Sequence, residues 1–346
     1  MKKTSLRMGE FNLDHIGLFD FAPEDFRASS TYFGLQLAEA YFISHLRSPD
    51  LKHHFHATRP VYLTSSSGML CGRSHADGVY NDPRGEKFLR GGYVERYIDG
   101  NGNLAFRGSG GTWSGGVEKT YEAAFGDEVV WRDSGELELK GRLLGPGTQV
   151  HVPWRDGATA GGTAHTGVFY EVSGHLFGEP VVGIVVLEQI FSPLGQSVHN
   201  SVLRKKYVGA WNGFANVFED GSVQYGQFGY GAGPFKHAMI VDGDRHVVSH
   251  VRSIDAQTRD NGLGARLEYH LHNGETWESV VEANGTNMDL LATARQQGSS
   301  AQVHKGYVGP LGEARKRRAW YSILEWFPER MVTDASDAEI ALPAGF

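Results

Sequence analysis

The segment Tyr207–Gly231 predicts a β-hairpin and constrains the fold more than any other stretch of the chain. Its sequence, YVGAWNGFANVFEDGSVQYGQFGYG, alternates small residues with aromatic or polar ones on both sides of Asp220-Gly221. Asp-Gly tolerates the positive φ angles that a tight hairpin turn requires, so this dipeptide between two alternating segments favours antiparallel pairing. We therefore expect two strands joined at Glu219–Gly221.

A similar pattern occurs 121 residues earlier in the chain. Gly92–Gly100 and Gly213–Gly221 share a first glycine, two aromatic residues at the same spacing and a closing Asp-Gly. The repetition suggests that one β unit is used twice. A length of 346 residues agrees with two domains, since domains typically contain ~100–200 residues.

Composition and turn spacing favour many short antiparallel strands. The chain contains 46 Gly, 19 Phe, 14 Tyr and 7 Trp, a combination of turn-forming and strand-forming residues. Turns recur in the second half at about the 8–12-residue spacing that is typical of a β-sandwich or barrel. These turns are Asp242-Gly243, Asn261-Gly262, Asn273-Gly274 and Asn284-Gly285.

A single segment predicts a helix. Residues Tyr32–Arg47 follow a potential N-cap at Ser29-Ser30 and end at Ser48-Pro49, whereas Met288–Ala294 is expected to be a strand. We expect a lead-in and helix over residues 1–50, a first β domain over 51–190, a second over 191–330 and a tail over 331–346.

Charge and cysteine content exclude several classes of protein. The net charge of −7 argues against a nucleic-acid partner, which would need a broad basic surface. Cys71 is the only cysteine, so an intrachain disulfide is impossible and a reducing compartment is favoured. No run approaches the ~18 apolar residues of a membrane span, and no signal peptide is evident. We expect a cytoplasmic protein, with a homodimer left open.

Three segments resemble the AttH-like family of paired lipocalin-like barrels, which includes carotenoid 1,2-hydratase and relatives that perform pericyclic cyclisations. They are Gly92–Gly100, Leu143–Asp156 (LLGPGTQVHVPWRD) and Trp211–Gly221 (WNGFANVFEDG). The resemblance implies an all-β fold of two lipocalin-like antiparallel barrel or half-barrel domains packed together, here with an N-terminal helix. It also implies an interior pocket for an apolar small molecule and chemistry without a cofactor. No catalytic residue of that family is carried over to this chain.

Two groups of polar residues are candidates for proton transfer. His75, Asp77 and Tyr80 lie in a turn-like segment, where they could exchange protons or, alternatively, cap backbone amides on the surface. His165 follows a Gly-rich loop, and Glu188 ends the apolar run Val181–Leu187, where an acid is unexpected unless it is paired or functional.

Aromatic residues are candidates for the lining of a substrate pocket, because ring faces stabilise cations such as a carbocation formed by loss of water. For any one of them, packing in a β core is the more common role. The candidates are Trp113, Trp154, Tyr170, Trp211, Phe214 and Tyr225.

Two His-x-His patterns raise the alternative of a metal site. On a strand, Glu268, His270 and His272 would share one face and could bind a divalent cation. Leu267 and Leu271 alternate with them, however, and this pattern favours a core face opposite a solvated polar face. His54 and His56 form the second pattern.

The leading hypothesis is a cofactor-independent lyase or isomerase that acts on a hydrophobic alcohol or alkene such as a terpenoid. Acid–base residues in an aromatic pocket would add or remove water. The alternatives are a non-catalytic carrier of an apolar small molecule and a metal-dependent enzyme that uses the His-x-His strands. No dinucleotide-binding motif, P-loop or Gly-x-Ser-x-Gly motif is present to support other chemistry.

Overall fold

Antiparallel strands form two sheets that follow one another along the chain. The computed structural model describes residues 15–26, 31–85, 91–110, 119–156, 159–197, 201–233 and 235–330. The sheets form a half-barrel and a nearly closed barrel, so the predicted all-β fold of two lipocalin-like units is confirmed.

The first sheet contains strands β1 to β14. They are β1 His15–Phe19, β2 Thr31–Tyr32, β3 Leu35–Arg47, β4 His54–Tyr62, β5 Leu70–Ser74, β6 Val79–Asn81, β7 Val94–Ile98, β8 Leu104–Ser109, β9 Thr120–Phe125, β10 Glu128–Asp133, β11 Leu137–Leu143, β12 Gly147–Asp156, β13 Thr159–Leu176 and β14 Glu179–Ser192. Its main path runs β6-β5-β4-β3-β14-β13-β11-β10-β9-β8-β7.

The second sheet contains β15 to β23, in the order β18-β17-β16-β15-β23-β22-β21-β20-β19. Its strands are β15 Val208–Phe218, β16 Val223–Gly231, β17 Lys236–Asp242, β18 Arg245–Ser249, β19 Val251–Thr258, β20 Gly264–Leu271, β21 Thr276–Thr286, β22 Gln302–Pro310 and β23 Arg317–Trp326. The helical elements are an α-helix, α1 (Met288–Gln296), a π-helical turn (Leu203–Tyr207) and short 3₁₀ turns at Pro23–Phe26 and Pro328–Arg330.

The hairpin predicted at Tyr207–Gly231 is confirmed as β15 and β16, with Gly221 at φ 84° in the turn. Its place in the second sheet matches that of β3 in the first, because each is a long early strand that pairs with the last strand of its sheet. The segment Gly92–Gly100 belongs instead to β7, at the end of the first sheet's path. The two matching hairpins therefore occupy different places in their sheets.

Two predicted elements have the opposite type in the structure. The segment predicted as a helix, Tyr32–Arg47, contains strand β3, and the segment predicted as a strand at Met288–Ala294 lies within helix α1. Strand β3 lies between β4 and β14 and is buried on both faces over most of its length. A strand of this kind carries apolar residues at consecutive positions, which simple periodicity does not separate from a helix.

Each sheet encloses its own packed core, and a third cluster joins the two. In the first core, Phe42 contacts the rings of Phe106, Phe125 and Trp131. The second core contains a stack of aromatic rings that includes Phe214, Phe228 and Tyr269. The third cluster contains side chains from β13 and β14 on one side and from β15, β16 and β23 on the other, so the outer faces of these strands pack together.

Among the described residues, no helix combines the length and the apolar character that crossing a lipid bilayer would require.

Candidate active site between the two sheets

A small cavity lies between the first sheet and the second, at the end of their interface where β12, β13 and β14 meet β15. Its volume is about 60 Å³, and most of its wall is apolar. It is lined by Val150, Val152, Thr163, His165, Ile190, Ser201, Leu203, Arg204, Val208, Trp211, Phe235 and Glu325. Since one water occupies about 30 Å³ of liquid, the cavity admits a small functional group and a water.

His165 and Glu188 form an acid–base pair beside this cavity. Nε2 of His165 lies 3.8 Å from Oε2 of Glu188, and the two side chains are 13% and 7% exposed. His165 pairs with Ile190 and Glu188 with Gly167 across β13 and β14, so both side chains project from the face that meets the second sheet. Within the part of the chain that the structure describes, neither ring nitrogen of His165 has a hydrogen-bond partner, which leaves both available to a ligand.

Trp211 forms the opposite wall of the cavity. Its ring meets the His165 ring edge to face, with centroids 4.6 Å apart and planes at 80°. The indole Nε1 donates a hydrogen bond to Oε1 of Gln227 at 3.3 Å. Because Gln227 lies on β16, the neighbouring strand holds the orientation of the Trp211 ring. The sequence named His165 and Trp211 as separate candidates, and the structure brings their side chains into contact.

Arg204 and Glu325 add a charged pair that the sequence analysis did not identify. Nη1 of Arg204, in the π-helical turn, lies 2.9 Å from Oε2 of Glu325 on β23. Both residues line the cavity. The two residues are 121 positions apart in the sequence. Their contact depends on the pairing of β15 with β23, which no local sequence pattern contains.

Tyr41 and Glu39, on β3, are two further polar residues next to the His165–Glu188 pair. Tyr41 lies directly opposite Glu188 in the β3–β14 pairing, and its hydroxyl donates a hydrogen bond of 2.5 Å to Oε2 of Glu39. Burial, followed by the charge of Glu39, raises the pKa of Tyr41 well above its usual range, so the phenol stays protonated. Sequence analysis missed this pair because it assigned the segment to a helix.

The surface candidates His75, Asp77 and Tyr80 lie apart from the cavity, around the turn between β5 and β6. His75 and Asp77 are exposed. The Tyr80 hydroxyl donates to Oδ2 of Asp77 at 2.8 Å, and this hydrogen bond raises the pKa of Tyr80. The three residues form a surface group that does not include His165 or Glu188.

The predicted aromatic lining residues occupy several environments. Trp154 is buried on β12 and donates to Oγ1 of Thr163 at 3.2 Å. Tyr170 and Phe214 are buried in the first and second cores, and Tyr225 is buried in the cluster between the sheets. Trp113 lies outside the described residues.

The His-x-His residues fall into two environments. His270 and Glu268 lie on the polar face of β20, as the alternation predicts, and together with Asp255 they place three ligand atoms within 4.8 Å of one another. His272 follows the strand and is exposed. The other pair contacts the second sheet, because His54 lies 3.0 Å from Glu282 and His56 lies 2.5 Å from Nζ of Lys305.

A larger groove of about 810 Å³ opens at the other end of the interface. Its charged side chains form ion pairs with each other: Glu171 accepts from both Arg142 and Arg318. Exposed pairs of this kind are solvated, whereas the smaller cavity lies beside a largely buried acid and base, so the smaller cavity is the better candidate for catalysis.

No family model matches the sequence, and no curated protein matches it significantly. Among solved structures, the chain is similar to a predicted AttH from Nitrosomonas europaea, with 12% identity, coverage of 89% of this chain and 97% of that one, and a TM-score of 0.46. The AttH name agrees with the resemblance noted in the sequence.

Two further structures have a comparable likeness. Kievitone hydratase from Nectria haematococca is 8% identical, with coverage of 89% and 93% and a TM-score of 0.42. CghA with Sch210972 is 12% identical, with coverage of 90% and 98% and a TM-score of 0.41. At these levels of identity we transfer no residue role and no reaction from these proteins.

Proposed function

We propose that the chain is a cofactor-independent hydro-lyase that removes water from, or adds it to, a hydrophobic alcohol or alkene in the cavity between the two sheets. The supporting observation is the 3.8 Å approach of the His165 and Glu188 side chains beside a mostly apolar cavity, where neither imidazole nitrogen has a hydrogen-bond partner among the described residues. A buried polar group without a partner is costly, so an imidazole left open in this way is suited to bind a hydroxyl group.

In the dehydration direction, the imidazolium form of His165 donates a proton to the substrate hydroxyl. The carbon–oxygen bond breaks, water leaves and a carbocation remains. The Glu188 carboxylate then removes a proton from the adjacent carbon, and the electron pair of that bond forms the alkene. Glu188 returns its proton to His165 across the 3.8 Å contact, so the protein ends the cycle unchanged.

The surroundings of the pair favour the charged intermediate. The indole of Trp211 faces the cavity, and the electron-rich face of an aromatic ring stabilises a nearby cation. The volume of about 60 Å³ fits the reacting carbon, its hydroxyl and little more. The remainder of a larger substrate must therefore extend beyond the enclosed space.

The test is turnover of a panel of tertiary allylic alcohols by purified protein, with diene formation followed by gas chromatography. We expect His165→Gln and Glu188→Gln each to reduce kcat by about 10²–10⁴-fold, the usual contribution of a general acid or base. His175→Gln is the matched control, because His175 lies on the same strand but is exposed. It should leave the rate unchanged.

Two results would count against the proposal. One is the absence of turnover across the panel by folded protein that nevertheless binds the alcohols, which would favour the carrier function. The other is a rate that survives both substitutions, which would place the chemistry elsewhere.

A further inference from the structure

The guanidinium group of Arg96 is buried and has no hydrogen-bond partner among the described residues. It lies on β7 between Val94 and Ile98, both of which pack against the first core, so its side chain projects toward that core. All three guanidinium nitrogens are inaccessible to solvent and have no hydrogen-bond partner. Burial lowers the pKa of Arg96 to about 9, so the group still carries its charge at neutral pH.

Other buried arginines of this chain are paired with carboxylates. Arg59 binds both oxygens of Asp133, with Nε donating to Oδ2 at 2.8 Å. Arg47 donates to Oε1 of Glu282 at 3.0 Å. An unpaired charge in an apolar interior is costly, and proteins retain one where a counter-ion binds. The contrast therefore indicates that the partner of Arg96 is a ligand.

We infer that the interior of the first sheet binds an organic anion whose carboxylate pairs with Arg96. The planar guanidinium presents two parallel N–H groups that match a carboxylate. The ring of Phe106 lies 5.2 Å from the guanidinium carbon, so the surroundings of the charge are apolar and suit the hydrocarbon body of such an acid.

Further polar groups in the same core lack partners. The side chains of Thr166 and Gln189 lie between residues of the first core along β13 and β14 and face inward. The hydroxyl of Thr166 and both amide atoms of Gln189 are buried without a hydrogen bond. The first core therefore contains donors and acceptors for the polar atoms of a ligand in addition to the charge of Arg96.

Arg96 lies on the strand that ends the path of the first sheet. Strand β7 ends the path of the first sheet and pairs on one side with β8. In the described part of the chain, its other side is linked to the sheet by a single bridge between Ser66 and Gly92, and β7 does not pair with β6. Among the described strands, β7 therefore pairs along one edge only.

Isothermal titration calorimetry with decanoate tests this inference, with decanol and inorganic phosphate as the comparison ligands. We expect wild-type protein to bind decanoate at least 10-fold more tightly than either, because binding needs both the charge and the hydrocarbon chain. Arg96→Met should abolish the preference for decanoate over decanol. Arg107→Met is the matched control, since Arg107 lies on the neighbouring strand, is 55% exposed and pairs with Glu95.

A second readout separates ligand binding from a role in folding. Without ligand, Arg96→Met should raise the thermal midpoint, because it removes an unpaired buried charge, and decanoate should no longer stabilise the variant. Arg96→Gln gives the same comparison if the methionine variant does not fold. Unchanged decanoate affinity in either variant, or phosphate binding as tight as decanoate binding, would overturn the inference. The His165 site is not involved, so dehydration activity should persist in both variants.

Discussion

At the scale of single residues, the buried histidine His304 makes the stability of the fold depend on pH. His304 is fully buried, with Nδ1 3.0 Å from Oγ1 of Thr286 and Nε2 2.9 Å from Oε1 of Gln302. A neutral ring satisfies both contacts if Nε2 donates to Gln302 and Nδ1 accepts from Thr286. Burial, and then the charge of Arg259, lowers the pKa of His304 to about 3.

The sign of the pH effect follows from this lowered pKa. Between pH 6.5 and 3 the unfolded chain binds a proton that the folded chain excludes, so the free energy of unfolding decreases as the pH falls. This group contributes up to about 1.4 kcal/mol per pH unit in that range, and its contribution is complete above pH 6.5. Urea unfolding at pH 7, 6 and 5 gives the free energy of unfolding at each pH. This free energy should fall less steeply with decreasing pH for His304→Gln than for the wild type. The control His246→Gln, at an exposed site, should keep the wild-type dependence on pH.

The sequence singled out candidate residues but not their contacts. Glu188 was notable from the chain alone, because an acid at the end of an apolar run requires a partner, and His165 because it follows a Gly-rich loop. Their contact depends on the register of β13 and β14, which no local pattern contains. Tyr41 was missed for a related reason, since its position opposite Glu188 requires strand pairing that the predicted helix excludes.

At the scale of secondary-structure elements, α1 depends on a cap that its sequence does contain. The side chain of Asn287 accepts a hydrogen bond of 3.0 Å from the backbone N–H of Leu290. The helix also contacts the first sheet, because Asp289 accepts from the backbone N–H of Asn81 at 2.7 Å. The same cap was readable in the sequence, but the regular spacing of turns led us to expect one more strand.

Asn287→Ala should reduce the free energy of unfolding by about 1 kcal/mol, the usual cost of losing an N-cap. Asn287→Asp should restore most of the loss, since a carboxylate also accepts from the N–H groups of the first turn. Thr293→Ala serves as the control, because its exposed hydroxyl only donates to the Asp289 carbonyl within the helix. Equal urea midpoints for Asn287→Ala and Thr293→Ala would show that the cap does not stabilise the fold.

At the scale of the whole molecule, the sequence predicted two β units but not how they meet. The alternation of apolar and polar residues and the spacing of turns predict strands, and the two β units were expected from these two patterns. The contact between the units uses the outer faces of β13, β14, β15 and β23, whose residues look like ordinary buried strand residues along the chain. The candidate active site therefore lies where no single segment predicted it, between the outer faces of the two sheets rather than in a barrel interior.

The same interface contains a buried ion pair that should couple the unfolding of the two sheets. Arg47 on β3 donates to Glu282 on β21 at 3.0 Å and to the backbone carbonyl of Trp320 at 2.7 Å, and its guanidinium lies 3.4 Å above the Trp320 ring. Burial alone would raise the pKa of Glu282, but the hydrogen bond from His54 and the charge of Arg47 lower it to about 2. The acid is therefore ionised and depends on these cations.

Removing one partner should cost more than removing both. Arg47→Met leaves the largely buried Glu282 carboxylate with only His54 and the indole N–H of Trp320 beside it, which we expect to cost about 3–5 kcal/mol. The double variant Arg47→Met/Glu282→Gln should recover part of that loss, because no uncompensated charge remains. Arg107→Met, which removes an exposed ion pair, should change stability by less than about 1 kcal/mol.

Scanning calorimetry distinguishes a coupling role from simple destabilisation. Wild-type protein should unfold in one transition, because the contacts between the sheets are buried and extensive. Arg47→Met should produce two transitions, since each sheet keeps its own core when the link between β3 and the second sheet is weakened. A single transition at the wild-type midpoint would show that the apolar cluster around Phe169 and Tyr321 holds the sheets together without this pair.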